Sequence, residues 1–285
     1  MDASTFELHA AMEDQHWWFV ARRQIVRQLV HRLAPPAIRR TIVDVGCGTG
    51  ATVAFFGNEY RTVGIEPSAD AVALASRRFP YAEFIHGSAP HDLGSIAGET
   101  DVFLLMDVLE HIADEVAMLS DIVAVARPGA HILITVPARP ELWSEHDVTM
   151  RHYRRYVPET LRELWRGLPV TPRLVSYFNS RLYPVVRAAR LVSRMRNQPV
   201  GAQATDLSMP PASVNRMLTR VFAGEAGPLV RHLENGRTPV YPIGVSLIAI
   251  VRKGNGEVTP RSRASEGTLV ADPPTERPPS RARAE

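Results

Sequence analysis

Between residues 41 and 136 the chain alternates short apolar runs with stretches of helical period. The runs are TIVDV (41–45), TVGIE (62–66), AEFIH (82–86), DVFLLMD (101–107) and AHILITV (130–136). Ser68, after Pro67, is a helix start for SADAVALASRRF. Asp114 opens DEVAMLSDIVAVA, where Val116, Leu119, Val123 and Ala126 share one helical face. Continuous apolar strands separated by helices require βαβ crossovers and a parallel sheet covered on both faces. The predicted class is therefore α/β with a doubly wound sheet, and such sheets bind ligands at the carboxyl ends of their strands. VTPRLVSYF (170–178) and GVSLIAIVRK (244–253) read as a sixth and a seventh strand.

The flanks follow other patterns. In EDQHWWFVARRQIVRQLVHRL, Val26, Leu29, Val30 and Leu33 form a helical stripe suited to packing on the sheet. His16, Trp17, Trp18 and Phe19 are too apolar for a solvated helix, and fit either a lid over a ligand or core. The stretch SRLYPVVRAARLVSRMR puts Leu182, Val185, Val186, Ala189 and Val192 on one face, with Arg187, Arg190 and Arg194 on another. Six arginines and no acid lie between Arg173 and Arg196. A basic amphipathic helix of this kind suits an anionic membrane surface; a solvated arginine face on a substrate-binding helix is the other reading. NQPVGAQATDLSMPPAS (197–213) reads as a loop, and the Pro-, Ser- and Arg-rich segment from Gly254 as a disordered tail. The predicted organisation is an N-terminal helical segment (1–40), a core (41–178 and 240–253), a helical insert (179–239) and a tail (254–285).

Composition changes this picture only slightly. A net charge of +3 on 285 residues does not mark a nucleic-acid binder, and Lys253 is the only lysine. A single cysteine, Cys47, excludes an intrachain disulfide framework and fits a reducing compartment. With no signal-peptide pattern and no run of membrane-spanning length, the expected location is the cytoplasm, with peripheral membrane contact through 180–196 as an addition.

VDVGCGTGA follows the first strand and opens a helix. Gly46, Gly48 and Gly50 let the chain turn tightly and let backbone approach a ligand. Gly46, Gly48 and Ala51 also satisfy the dinucleotide pattern G-x-G-x-x-A, so the glycines alone leave the cofactor open. Asp44 bears on the choice: a carboxylate there repels a pyrophosphate and suits a cofactor carrying an ammonium and a sulfonium. Glu66 ends the second strand where an acid accepts ribose hydroxyls, a position used for nicotinamide dinucleotides as well.

At these residues the sequence resembles the class I S-adenosylmethionine-dependent methyltransferases. VDVGCGTG is similar to their first motif and GIEPS to their acidic second-strand end. LLMDVLEHI resembles the fourth-strand segment of the small-molecule branch that includes the quinone-biosynthesis enzymes, and ARPGAHILITVP the turn and strand that follow. The HWWF…ARR opening and the H…HYRRY stretch are similar to bacterial type 11 members. The resemblance implies a Rossmann-like sheet, mostly parallel with an antiparallel last strand. It implies S-adenosylmethionine as cofactor, with Asp44, Gly46, Cys47, Gly48, Gly50, Glu66 and Pro67 around it and Asp107 near its methionine end or the acceptor. Where the family usually places an acid after the third strand, HGSAPHDL offers Ser88. The family joins its last two strands by a short hairpin, whereas here a long insert intervenes.

Methyl transfer from a sulfonium needs alignment, plus a base when the acceptor is a hydroxyl or protonated amine. WSEHDVTMRHYRRYV (143–157) lies just past the fifth strand, over the carboxyl edge of the sheet. His146 is the first candidate base and His152 the second. Tyr153 and Tyr156 are placed to bond or stack on an acceptor, and Asp147 to orient a histidine. Arg151, Arg154 and Arg155 either hold an anionic group or pair with Glu145, Asp147 and Glu159. Glu110 and His111 are rivals after the fourth strand. No paired-cysteine or H-E-x-x-H metal signature occurs. The expected acceptor is a small or lipid-linked molecule. A nicotinamide oxidoreductase is the alternative. An RNA methyltransferase would need an aromatic-plus-basic strand motif that is missing here.

Overall fold

The computed structural model describes residues 3–196, 208–236 and 240–258. Of the predicted loop over 197–213, residues 197–207 lie outside the described residues, as does the predicted tail from 259 onwards. In chain order the elements are α1 (Ala3–Met12), α2 (Trp17–Leu33), β1 (Thr41–Val45), α3 (Ala51–Phe56), β2 (Arg61–Glu66), α4 (Ala69–Arg78) and β3 (Glu83–His86). There follow α5 (Ile96–Glu99), β4 (Thr100–Met106), α6 (Glu115–Val125), β5 (His131–Pro137), α7 (Glu145–Thr149), α8 (Pro158–Glu163) and β6 (Val170–Phe178). The chain continues through α9 (Tyr183–Arg196), α10 (Ala212–Ala223), α11 (Ala226–Asn235) and β7 (Ser246–Lys253). Every predicted strand is present within two residues of its expected ends. Both predicted caps form: the Ser68 side chain accepts from the Ala71 amide and Asp114 from that of Ala117.

The strand order is β3-β2-β1-β4-β5-β7-β6, with β7 antiparallel to both neighbours and the other pairs parallel. From β1 the chain winds outward through β2 and β3, then returns to lay β4 on the other side of β1. Neighbouring strands whose connections leave in opposite directions open a crevice at their carboxyl ends, here between β1 and β4. The segments after β1 and β4 therefore face each other across that crevice.

Each face of the sheet is apolar, because successive side chains along a strand point to opposite sides. Phe103 and Leu105 of β4 join Val43, Ile132 and Ala249 under Leu119, Ile122 and Val123 of α6. On the other face Leu104, Ile42, Leu133 and Ile250 pack against Ile25, Val26, Leu29 and Val30 of α2. Phe222 of α10 and Leu229 of α11 complete that second layer. The insert and the N-terminal helices thus cover one face together: Asn215 accepts from the Trp17 amide at 2.9 Å and donates to the Gln15 carbonyl at 2.8 Å.

The predicted two-faced character of the 180–196 segment needs a correction. Arg190 does not lie on a solvated face; it is buried and donates to the Leu142 carbonyl. The apolar stripe is divided, with Leu182 buried, Val186 and Ala189 toward a cavity, and Val185 and Val192 exposed. The Arg194 side chain lies outside the described residues. Among the described residues no helix is long and apolar enough to cross a membrane.

Candidate functional site

The glycine loop sits on the ends of β1 and β2. The amides of Gly46 and Cys47 donate to the Ile65 carbonyl at 2.8 and 3.2 Å. Glu66 braces the loop, one carboxylate oxygen accepting from the Gly48 amide at 3.1 Å and the other from Ser68 at 3.0 Å. Gly50 has φ +89°, and a Cβ there would lie 2.7 Å from the Phe84 ring, so this turn excludes any side chain. Asp44, at the end of β1, is buried, and that burial pushes its pKa up to about 7 against the pull of Arg22. Cys47 is buried against Gly64; burial, with Asp44 beside it, holds its thiol well above the usual range, so it packs rather than attacks.

The N-terminal helices lock onto this loop. Glu13, just after α1, accepts from the Thr49 hydroxyl at 2.5 Å and pairs with Arg78 of α4. Arg78 also donates to the Thr49 carbonyl at 2.9 Å. From α2, Arg22 pairs with Asp107 while its guanidinium lies 4.3 Å from the centre of the Trp18 ring. Asp107, the first residue past β4, has φ +58°, a conformation L-residues rarely hold without tertiary support.

The segment after β5 closes on itself. Arg139 donates its amide to Tyr156 at 2.7 Å, and the Tyr156 amide donates to Pro137 at 2.9 Å. Inside this loop Asp147 is fully buried and acts as a hub. One oxygen accepts from the Ser144 amide at 2.8 Å; the other accepts from Arg155 Nε at 2.8 Å and faces His152 Nδ1 at 2.9 Å. Burial alone would raise its pKa, but Arg155 and the His152 hydrogen bond outweigh that and hold it far below the carboxylate range. The predicted orienting role of Asp147 thus falls on His152. The rings of His111 and His146 stand edge-on to His152, with centroids 4.7 and 5.8 Å away. Burial, and then the nearby His152, lowers the His111 pKa to about 3.

A cavity of about 330 Å³ joins the three regions. Asp44 and the 46–49 loop line one side, and Asp107, Glu110 and His111 the next. His152 lies beside His111 and His146 beside His152, and Trp17, Trp18 and Phe19 of α2 also line it. The aromatic segment is thus a wall of the cavity.

Other predicted residues lie elsewhere. Tyr153 is half-buried outside the lining, with Arg154 over its ring, and its amide donates to Glu110. Tyr156 is core. Glu66, Pro67 and Ser88 are grouped at the ends of β2 and β3, also outside the lining; the Ser88 amide donates to Asp92 at 2.7 Å. Of the arginines, Arg155 pairs with Asp147, and Arg154 with Glu115 instead of the predicted acids. Glu13, Thr49 and Arg22 were not anticipated; the density of aromatics and arginines after His16 was the signal available for Arg22.

The family described as a methyltransferase domain matches residues 18–181, more than half of the chain. The chain belongs to this family. The matched span of the methyltransferase domain begins inside α2 and takes in Arg22. A probable S-adenosylmethionine-dependent methyltransferase of Mycolicibacterium smegmatis is 26% identical over 129 residues, covering 45% of this chain and 48% of that protein. A ubiquinone biosynthesis O-methyltransferase of Vibrio parahaemolyticus is 28% identical over 101 residues, covering 34% and 43%. The chain spans about half the length of the curated relatives it matches. A putative methyltransferase of Haloferax volcanii, solved in complex with an activator protein, superposes with a TM-score of 0.52 at 17% identity, over 90% of this chain and 95% of that one. That last likeness is one of fold, and it agrees with the Rossmann-like sheet expected from the motifs.

Proposed function

We propose that the methyltransferase domain binds S-adenosylmethionine and methylates a small-molecule acceptor at the carboxyl edge of its sheet. The observation that carries this reading is the buried Asp44 carboxylate, set beside the glycine loop in the same cavity as the loop histidines. A carboxylate at that point favours a sulfonium and ammonium over a pyrophosphate, since like charges in a dry site repel strongly. The names of the Mycolicibacterium and Vibrio relatives support the same donor and an O-methylated small molecule. S-adenosylmethionine supplies the methyl group as an activated sulfonium. The glycine loop, Asp44 and Asp107 bind and orient it, and Glu66, Pro67 and Ser88 take the nucleoside end. His146, which lines the cavity, takes the acceptor's proton; His152 is the second candidate, and Tyr153 braces the loop behind them.

Calorimetry with S-adenosylmethionine and with NAD(P) tests the donor: preference for NAD(P) would replace the reading with a hydride-transferring one. Product analysis with a labelled methyl donor then identifies the acceptor. Full turnover in both His146→Ala and His152→Ala, with donor binding intact, would sink the proposed base.

A lipid-linked acceptor is the finer form of this reading. It is supported by α9, where Val185, Leu191 and Val192 are exposed beside Arg187, while Val186 and Ala189 of the same helix line the cavity. Such a helix lies along an anionic surface with its cavity wall turned inward. Co-sedimentation with anionic vesicles, absent with neutral ones, is the expected result; no binding to either retires the membrane contact.

A further inference from the structure

On the cavity wall lies a cluster that takes in one loop histidine, His152, and two residues with no part in the proposed methyl transfer; as a ligand, His152 leaves the base's role to His146. Glu110, His111 and His152 come from two segments separated in the chain, the turn after β4 and the loop after β5. Each offers one ligand atom, and the three atoms lie within 4.8 Å of one another. All three residues line the cavity. We infer that Glu110, His111 and His152 hold a divalent transition-metal ion of the zinc, manganese or iron class, with its open coordination position facing the cavity.

The first support is Glu110 itself. Its side chain is fully buried, and among the described residues neither carboxylate oxygen has a hydrogen-bond partner. Buried carboxylates without partners are rare, because losing water with nothing in exchange is costly. The nearby cations do not fill the gap: Arg22 is paired with Asp107, and Arg155 with Asp147. Two oxygens without donors beside two imidazoles make a vacant acceptor set, and a cation satisfies it.

The second support is the orientation of His152. Its Nδ1 is engaged with Asp147 at 2.9 Å, so Nε2 is the atom left for a ligand. A carboxylate behind a ligating histidine, fixing tautomer and ring angle, is the usual outer arrangement around protein-bound zinc. Here Asp147 is itself pinned by Arg155 and by the Ser144 amide, so the imidazole is held rigidly.

The donor set decides the metal class. Two imidazole nitrogens and one carboxylate oxygen suit zinc, iron, manganese or cobalt, whereas magnesium and calcium call for oxygen throughout. Three protein ligands leave a position open, as in sites that work on a substrate rather than only brace a fold. Bonds of roughly 2.1 Å put tetrahedral ligand atoms roughly 3.4 Å apart. The side chains must therefore draw in by somewhat more than 1 Å, mainly through the half-buried His111 ring. The site rests on the proposed methyl-transfer cavity and narrows its acceptor. An acceptor with a ligating oxygen, such as a phenol, catechol or carboxylate, would take the open position, where the ion lowers its pKa and its proton passes to His146.

The test uses the full chain. Metal content is measured by plasma mass spectrometry after purification, and zinc affinity by competition with a chromophoric chelator after stripping. Near one zinc, iron or manganese per chain is expected. The zinc affinity should fall at least 100-fold in Glu110→Gln and His111→Ala, and roughly 10- to 100-fold in Asp147→Asn, the usual range for an outer-shell partner. Should a variant not fold, cobalt(II) added to the stripped wild-type chain decides: visible bands of a low-coordinate nitrogen–oxygen site, displaced by zinc, support the site, and a spectrum like aqueous cobalt overturns it. Equal zinc affinity in wild type and a folded His111→Ala also overturns it, leaving Glu110 as a neutral acid. Calorimetry with S-adenosylmethionine on the same samples separates the two ideas. Donor binding without metal sinks this site alone, and metal without donor binding sinks the transfer reading alone.

Discussion

If Asp44 meets the positive end of the donor, donor affinity must depend on pH in a stated direction. Burial raises the Asp44 pKa to about 7 in the unliganded chain, from a usual 3.8. A sulfonium or ammonium beside it favours the ionised form, so the bound state carries a lower value. Between pH 8 and pH 6 the ionised fraction of the free protein falls from about nine in ten to about one in eleven. Affinity should weaken about tenfold over that range. At pH 7 binding should release about half a proton, read as a dependence of the calorimetric enthalpy on the buffer's ionisation enthalpy. The same shift sets the stability of the empty protein. The folded pKa is raised, so the contribution is fully present below pH 3.8 and is lost as pH rises through about 7. Asp44→Asn should therefore stabilise the unliganded chain at pH 8, by up to about 4 kcal/mol, while weakening donor binding. Affinity that stays flat from pH 6 to 8, with no buffer dependence, would refute the electrostatic reasoning.

Three further outcomes follow from the same geometry. Asp147→Ala leaves the buried Arg155 unpaired and His152 unanchored, and should cost about 3–5 kcal/mol in urea unfolding monitored by circular dichroism; a loss below 1 kcal/mol would show that the loop does not depend on this hub. Gly50→Ala imposes a left-handed conformation and a clash with Phe84, so a loss of about 2 kcal/mol and a clear fall in donor affinity are expected, from denaturation and calorimetry respectively. Glu13→Ala removes the acceptor of the Thr49 hydroxyl and leaves Arg78 with Asp14 as its remaining carboxylate, without touching the sheet. Donor affinity should drop about tenfold with only about 1 kcal/mol of stability lost, and the reverse ratio in paired melting and binding measurements would show that the clamp is purely structural.

The strands were legible because each is a continuous apolar run between helical stretches, and the two caps because they are local: Ser68 and Asp114 each reach an amide three residues on. The turn of the glycine loop was legible for the same reason. What stayed hidden depends on pairs brought together by the fold. Arg22 and Asp107 are 85 residues apart. Arg190 has the helical spacing of a solvated arginine, yet the way α9 meets the segment after β5 buries it under the Leu142 carbonyl. Glu110 and His111 were visible as an acid–histidine pair. That both Glu110 oxygens lack partners depends on where Arg22 and Arg155 spend their charge, which no local pattern encodes.

The tie between Trp17 and Asn215 also bears on synthesis. The two residues are 198 positions apart, and α2 receives its covering helices only when the insert has been made. At a ribosomal rate of roughly 5–20 residues per second, the Trp17 end of α2 waits about 10 to 40 s for α10. During that interval the nascent chain leaves the Trp17–Trp18 end of α2 without its later neighbours Asn215 and Phe222. The wall of the finished cavity is thus, for most of translation, the surface most open to a holding chaperone.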